Sequence, residues 1–256
     1  MPQLLIETLE QVQAQTWWLP KSATVYEEND VCFYKLNGRY EIVRFQPSSE
    51  KLHSSFEYIL RIVNKEPVRF LFFPHRHGQD VLDMISSVGF KKGHCYEARV
   101  IEVDHYQRKT STSVDVKLVK TLEEIRQVYE VRRQVFGSDK HEPEDHLRLY
   151  LKEATSQPPK VRQFLAVDLY DGAAISQAGL SIFQDLNFAL LFAGGTIASD
   201  RGQGAYTALV AARIAYARSI GIQHVGLFAR EDTSAPIVEQ QGFMNFGEMQ
   251  QWSLNC

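Results

Sequence analysis

The residues best suited to chemistry form one short run, Arg201-Gly202-Gln203-Gly204-Ala205-Tyr206. Glycine adopts positive φ and has no Cβ, so the backbone N–H groups around Gly202 and Gly204 can converge on one anion. A helix predicted to begin within the run adds unpaired N–H groups and the positive end of its dipole. Arg201 adds a fixed positive charge at the rim. The run is therefore predicted to bind a pyrophosphate.

The same run has other interpretations. A glycine turn beside a surface arginine needs no ligand, and short glycine patterns are often only that. Gly202, Gly204 and Thr207 partly match a dinucleotide-binding fingerprint, but the last glycine of that pattern is absent. A P-loop is excluded because no Gly-Lys-Ser/Thr follows the glycines. The pyrophosphate loop and the plain glycine turn both remain open on these residues.

Apolar spacing places the run between a strand and a helix. Phe188 to Ile197 is strongly apolar and predicts a buried strand. The residues Tyr206, Val210, Ile214 and Ala217 then share one helix face, and Gly221 predicts the end of that helix. The chain continues as a strand from His224 to Phe228, a helix from Ser234 to Gln241, and a last strand after Gly242-Phe243.

The segment before this strand supplies further elements. Val114 to Val119 alternates like a strand, and Thr121 with Glu124 has the spacing of a capping box that opens a helix ending near Gly137. Pro143 predicts the start of a second helix. Strands follow at Phe164 to Leu169 and at Ala173 to Phe183, joined by the hairpin signal Asp171-Gly172. The order β, α, α, β, β, β, α, β, α, β predicts an α/β (α+β) fold, a mixed sheet flanked by helices.

Two segments resemble one known family. The run from Gly194 to Tyr206 resembles motif A of the GCN5-related N-acetyltransferases, Gln/Arg-x-x-Gly-x-Gly/Ala, which Arg201 and Gly204 match. The segment from Thr233 to Phe243 resembles the family's following helix, which usually ends in Tyr-Glu-x-x-Gly-Phe. The chain departs from the two patterns at Tyr206, where the family has Gly or Ala, and at Val238, where it usually has Tyr.

The resemblance implies an acyl-CoA N-acyltransferase-like fold with a mostly antiparallel sheet. It also implies that acetyl-CoA is the co-substrate, with its pantetheine arm along the strand at Gly195 and Thr196. Paired glycines at 194 and 195 suit such a close approach, although a β-bulge without a ligand also explains them. The resemblance assigns the cofactor to Gly195, Thr196, Arg201, Gly202, Gln203, Gly204, Ala205, Tyr206 and Thr207.

Catalytic residues are not determined by these patterns. Acetyl transfer needs a deprotonated amine, stabilisation of an oxyanion and an acid for the leaving thiolate. Tyr206, His224 and Glu231 are the candidates. Each has a structural alternative: a packed ring for Tyr206, a structural histidine for His224, and a solvated loop or helix cap for Glu231.

The first part of the chain echoes the second. Asn37-Gly38 predicts a hairpin, and Val68 to Phe90 repeats the order strand, polar loop, helix, Gly-Phe, strand that follows Val225. Gln46-Pro47-Ser48-Ser49 stands where a phosphate loop would be. We therefore expect two tandem domains: a degenerate copy at 1–106, a polar linker at 107–113, and an acetyltransferase domain at 114–256.

Composition sets limits on partners and location. The chain has 256 residues and a net charge of −3, so no basic field indicates nucleic acid. No apolar run is long enough for a bilayer, and the start lacks the features of a signal peptide, so we expect a cytoplasmic protein with no membrane partner. Cys32, Cys95 and Cys256 form neither a disulfide framework nor a zinc pattern, and no metal is expected.

The family resemblance implies an acetyl-CoA-dependent N-acetyltransferase that transfers the acetyl group directly to a primary amine on a small molecule or a protein. The alternative is a non-catalytic acetyl-CoA-binding regulatory or interaction protein, since neither a Tyr at 238 nor a carboxylate within Phe188 to Ile197 is present. The sequence determines neither the acceptor nor the oligomeric state.

Overall fold

The structure is a computed structural model that describes residues 2–19, 23–28, 30–107, 113–137 and 142–255. The chain divides into two compact units. The first unit comprises Met1–Ala98, Phe228–Pro236 and Asn245–Cys256, and the second comprises Arg99–Leu227 and Ile237–Met244.

The six strands that the structure describes in the first unit lie in the order β1-β2-β3-β4-β11-β5. From β1 to β11, neighbouring strands pair antiparallel except β3 with β4, which run parallel. Its helices are α1 (Pro2–Gln13), α2 (Leu52–Val63) and α3 (Gln79–Ser87), and its strands are β1 (Thr24–Glu28), β2 (Val31–Leu36), β3 (Arg39–Phe45), β4 (Val68–Phe72) and most of β5 (Lys91–Glu102) and β11 (Met244–Leu254).

The hairpin predicted at Asn37-Gly38 is confirmed between β2 and β3. Asn37 and Gly38 both have positive φ, 52° and 77°, as a two-residue turn of this twist requires. The sequence indicated neither α1 nor β1. Nor did it indicate that β11, from the end of the chain, pairs with β4 over Val68 to Phe72.

His77 is a buried polar residue in the phenylalanine-rich core of the first unit. The backbone N–H of Phe73 donates to Nδ1 at 3.0 Å, and Nε2 lies 2.9 Å from the carbonyl oxygen of Phe45. Because Nδ1 accepts, Nε2 carries the proton and the ring is neutral. Burial lowers the pKa of His77 to about 4. This histidine therefore links two segments of the core as an uncharged group.

The second unit contains the strand order β10-β9-β8-β7-β6. Neighbours pair antiparallel except β9 with β10, which run parallel. The elements are β6 (Val114–Leu118), α4 (Leu122–Phe136), α5 (Glu144–Ala154), β7 (Val161–Asp168), β8 (Ala174–Phe183), β9 (Phe188–Thr196), α6 (Ala205–Ser219), β10 (His224–Arg230) and α7 (Ser234–Glu239), of which β10 and α7 also contribute to the first unit.

Local signals correctly predicted the ends of α4. Thr121 accepts from the backbone N–H of Glu124 at 3.3 Å, and the Glu124 carboxylate accepts from the N–H of Thr121 at 2.9 Å, which completes the capping box. Gly137 ends the helix in the left-handed conformation. The apolar face of α4 then packs on the sheet in a core that includes Ile125 and Val128.

Arg162 on β7 is almost fully buried, and its guanidinium makes four hydrogen bonds. Its guanidinium donates to the hydroxyl of Tyr216 at 2.8 Å and to the backbone carbonyls of Ala154, Ser156 and Val161 at 2.8–2.9 Å. Four acceptors satisfy a charge that would otherwise be costly to bury. Arg162 thus joins the end of α5 to β7 and α6.

The predicted fold class is confirmed, because the sheet is mixed, mostly antiparallel and flanked by helices. Both later segments of the first unit come from beyond Leu227, so the units are not continuous along the chain. The domain limits 1–106 and 114–256 remain a prediction. Residues 108–112 of the expected linker lie outside the described residues. Among those described, no helix is both long and apolar enough to cross a bilayer.

Candidate functional site

The end of β9 is deformed by a bulge at Ala193 and Gly194. Gln177 of β8 pairs with Gly195, but Gly179, two residues on, pairs with Phe192, so β9 contains an extra residue here. Ala193 has a φ of 47°, which a residue with a Cβ rarely adopts. The side-chain amide of Gln177 donates to the Ala193 carbonyl oxygen at 2.5 Å and holds the deformed segment. The bulge that the sequence left open as an explanation for the glycine pair is therefore present.

Pairing between β9 and β10 stops before this bulge. The two strands pair over Phe188 to Leu190 and His224 to Gly226, and both continue beyond that register. From Leu191 to Thr196, β9 keeps β8 as its neighbour on one side. A strand edge with unpaired backbone groups can bind an extended chain as an added strand.

Gly194 and Gly195 face opposite sides of the sheet, and both are closely covered. A Cβ at Gly194 would lie 3.0 Å from the ring of Tyr206 and 3.6 Å from Nη2 of Arg213. A Cβ at Gly195 would collide with Cγ1 of Val135 on α4. Packing by itself therefore requires small residues at both positions, with or without a ligand.

The glycine run has the backbone that its residues predict. Gly202 and Gly204 have φ of 84° and 81°, and Gly204 is the residue from which α6 begins. No described side chain caps this helix by a hydrogen bond at its N-terminus. The hydroxyl of Ser113 donates to the Gln203 carbonyl oxygen at 3.0 Å and ties the loop to the start of β6. The first N–H groups of a 15-residue helix thus border a glycine loop.

The strand end and the loop are joined through Thr196. Ser176 donates to the Gly195 carbonyl oxygen at 2.8 Å, and its oxygen lies 2.8 Å from the Thr196 hydroxyl. The Arg201 side chain, which is exposed, donates through Nε to the Thr196 carbonyl oxygen at 3.4 Å. Gly195, Thr196 and Arg201 to Thr207 therefore lie together at one end of β9, as expected.

One of the three catalytic candidates, His224, lies away from this loop. His224 pairs with Phe188, at the other end of β9 from Thr196, and eight residues of strand separate the two ends by roughly 25 Å. This position argues against His224 as the base. Glu231 is exposed and belongs to the first unit, and its catalytic role stays a prediction. Tyr206 lies within the glycine run itself, with its ring against Gly194 at the bulge.

Arg213 on α6 was missed by sequence analysis. It is fully buried, and donates through Nε to the Leu209 carbonyl oxygen at 3.0 Å and through Nη1 to the Gly179 carbonyl oxygen at 3.1 Å. Its Nη2, which points towards Gly194, has no hydrogen-bond partner in the described part of the chain. Burial lowers the pKa of Arg213 to about 10. The available signal was an arginine next to Ile214, inside the apolar face of a predicted helix.

Comparison with solved structures identifies the fold. The chain is similar to a GCN5-related N-acetyltransferase from Sphaerobacter thermophilus (16% identity, 90% of this chain and 75% of that one, TM-score 0.66). It is also similar to a GCN5-related N-acetyltransferase from Kribbella flavida (13% identity, 98% and 95%, TM-score 0.66). A tandem protein of this fold from the clavulanic acid biosynthesis pathway matches at 11% identity over 96% and 86% of the two chains (TM-score 0.65).

At these identities the likeness concerns the fold. It spans both units of the chain, and it confirms the fold that motif A and the Gly-Phe segment suggested. No protein-family model matches the sequence, and no curated protein does either.

Proposed function

We propose that this protein is an acetyl-CoA-dependent N-acetyltransferase that acts on a primary amine. One observation supports the proposal: a glycine loop and a helix N-terminus without a described side-chain cap directly follow a strand whose pairing with its parallel neighbour ends at Leu190. An anion-binding helix start and an open strand edge are the two features that a diphosphate joined to an extended amide-containing arm requires. Both features lie within the second unit.

Each part of the loop has a role in this proposal. The N–H groups from Gly202 to Thr207 bind the diphosphate, and Arg201 adds a charge at its rim. The backbone of β9 at Gly195 and Thr196 pairs with the pantetheine arm. The bulge at Ala193 brings the arm's thioester end near the Tyr206 ring, which covers Gly194.

The proposed reaction is direct transfer. The free amine nitrogen attacks the thioester carbonyl carbon, so that a C–N bond forms, the C–S bond breaks, and CoA leaves as a thiolate. The ammonium proton is lost before attack, the nitrogen loses a second proton after it, and the thiolate gains one. Tyr206 is the proposed donor to the thiolate. The base is left to solvent, because His224 lies at the far end of β9.

Thermal unfolding with acetyl-CoA tests the binding step. A ligand that binds only the folded state at about 100 times its Kd adds about 2.7 kcal/mol of stability. For a protein of this size that corresponds to a rise in Tm of roughly 5–10 °C. We expect this rise with acetyl-CoA and a smaller rise with pantetheine, which lacks the diphosphate. An unchanged Tm at millimolar acetyl-CoA contradicts the proposal.

A matched pair of glycine variants locates the site. Gly202 and Gly221 both have φ near +80°, 84° and 81°, and a Cβ at either would meet open space, so Asp strains both alike. The two residues lie at opposite ends of α6, Gly202 before its start and Gly221 after its end. Gly202→Asp and Arg201→Glu should each abolish the rise in Tm with acetyl-CoA. Gly221→Asp and Lys152→Glu, a control at an exposed residue, should retain that rise. Equal loss in Gly202→Asp and Gly221→Asp would place the ligand elsewhere.

The second candidate function is acetyl-CoA binding without catalysis. Val238 has no exposed surface and carries no proton donor, at the position where the family resemblance expects Tyr. Release of free thiol from acetyl-CoA, measured across a panel of amines, separates the two functions. Amine-dependent thiol release with loss in Tyr206→Phe supports the enzyme, while binding without release supports the regulatory protein.

A further inference from the structure

An arginine on the sheet-facing side of α4 presents an unoccupied hydrogen-bonding edge. Arg132 lies one turn from Val128 and one turn from Val135, whose side chain covers Gly195 on β9. Its guanidinium stacks on the ring of Tyr129, 5.0 Å from the ring centroid. Nε and Nη2 of Arg132 are both buried, and neither has a hydrogen-bond partner among the residues that the structure describes. Buried donors without a partner are costly, so they mark a place where a ligand is to be expected.

The neighbouring arginine shows what fits such an edge. Nε and Nη2 point the same way from a planar guanidinium and match the two oxygens of a carboxylate. In Arg133 these two atoms bind the Glu130 carboxylate, at 3.0 and 2.7 Å. Burial and, to a smaller extent, the charge of Glu142 raise the pKa of Tyr129, the ring on which Arg132 stacks. The Glu142 carboxylate is bonded to His146 at 3.1 Å and not to Arg132. The Nε–Nη2 edge of Arg132 therefore has the shape and charge for a carboxylate that the described residues of the chain do not supply.

Two buried glutamines on the same face of the sheet offer acceptors. Gln177 pairs with Gly195 across β8 and β9, and Gln163 pairs with Gly179, which makes the glutamines diagonal neighbours. The amide of Gln177 cannot be reversed, because its NH₂ donates to the Ala193 carbonyl oxygen. Its Oε1, like that of Gln163, is buried and unpartnered within the described residues. An amine N–H is the group that such oxygens bind.

We propose that the acceptor of this enzyme is a primary amine that also carries a carboxylate, an amino acid or a close relative. Arg132 binds the carboxylate through Nε and Nη2, and Oε1 of Gln177, the residue paired with Gly195, accepts a hydrogen bond from the amine. This assignment rests on the proposed acetyl transfer, because Gly195 borders the strand edge that would hold the thioester arm. The side chain of Val135 on α4 covers Gly195, while the Tyr206 ring covers Gly194 on the opposite face of the sheet.

The test uses products as probes, so that binding is measured without turnover. N-acetyl-L-amino acids and their methyl esters, which differ by one negative charge, are compared by thermal unfolding in the presence of CoA and again without it. We expect at least one acid to raise Tm and its ester to have no effect. In Arg132→Met the affinity for that acid should fall about tenfold or more, because both bonds to the carboxylate are lost.

Arg133→Met is the matched control, since it removes an adjacent guanidinium whose carboxylate partner is already present. It should leave the affinity unchanged. If Arg132→Met does not fold, Arg132→Lys keeps the charge, loses the paired edge and should still weaken binding. Equal binding of acids and esters, equal loss in the two methionine variants, or no binding by any acid overturns the proposal. Acid-specific binding without an effect of acetyl-CoA on Tm would preserve the carboxylate site and refute the acetyltransferase.

Discussion

Gly195→Ala tests whether the covered strand end requires glycine for packing. The new Cβ would collide with Cγ1 of Val135, and it would also lie 3.5 Å from the Phe136 ring. A branched valine side chain cannot swing its Cγ away without leaving its rotamer. Because relaxed carbon–carbon contacts need 3.5–4.0 Å, α4 or β9 must move by on the order of 1 Å. We expect a cost of about 1–3 kcal/mol in the free energy of unfolding, the usual range for an overpacked site.

Removing the opposing side chain should relieve this cost. Val135→Ala by itself loses packing worth roughly 1–2 kcal/mol. In the double variant Gly195→Ala/Val135→Ala the new methyl group occupies space that the valine vacates, so the two changes should cost less together than their sum. A coupling free energy of about 1–3 kcal/mol is expected.

The assay is thermal and urea unfolding of the four proteins in the cycle. At this chain length, each kcal/mol corresponds to roughly 2–4 °C in Tm. Gly221→Ala combined with Val135→Ala serves as the control pair, because a Cβ at Gly221 meets open space. That pair should be additive. Additive costs in the Gly195 cycle, within about 0.5 kcal/mol, would refute the reasoning that Val135 dictates glycine at this position.

Three further outcomes follow from contacts described above. The free energy of unfolding should fall by up to about 3 kcal/mol as the pH drops from about 6.5 to 4. The reason is that His77 takes up a proton in the unfolded chain over this range, whereas burial lowers its pKa to about 4 in the folded protein. His77→Gln should therefore flatten this part of the pH profile, measured by urea unfolding. Thr121→Ala removes the cap of α4 and should cost about 1 kcal/mol, seen as a lower Tm. Arg162→Met removes hydrogen bonds to two buried and two partly buried acceptors and should cost about 3 kcal/mol, whereas an unchanged Tm would show that water replaces the guanidinium.

Short-range features of this protein were predictable from its sequence. The capping box at Thr121 and Glu124, the Asn37-Gly38 turn, and the positive φ of Gly202 and Gly204 depend on residues only a few positions apart. The strand β9 and the helix α6 follow from apolar spacing in the same way. The mixed sheet flanked by helices was therefore inferred correctly from the order of such local signals, whereas its mostly antiparallel pairing was inferred from the family resemblance.

Long-range pairing decided what the sequence could not. Strand β11, at the end of the chain, pairs with β4 at Val68 to Phe72, and no local pattern specifies that partner. The glycine loop precedes α6 and His224 follows it, so the two are separated in sequence by one helix. The register of β9 with β10 places His224 beside Phe188, at the opposite end of β9 from the loop.

The burial of polar side chains was likewise decided by long-range contacts and not by the local sequence. Arg132, Arg213 and Gln177 look like ordinary polar residues of two helices and a strand in the sequence. Their surroundings come from elements brought together only by folding, which leave hydrogen-bonding atoms of all three without partners among the described residues. The sequence by itself determined a loop suited to an anion and the elements around it. The tertiary structure decided which charged and amide groups are buried around the end of β9, because packing between distant segments sets the environment of each side chain.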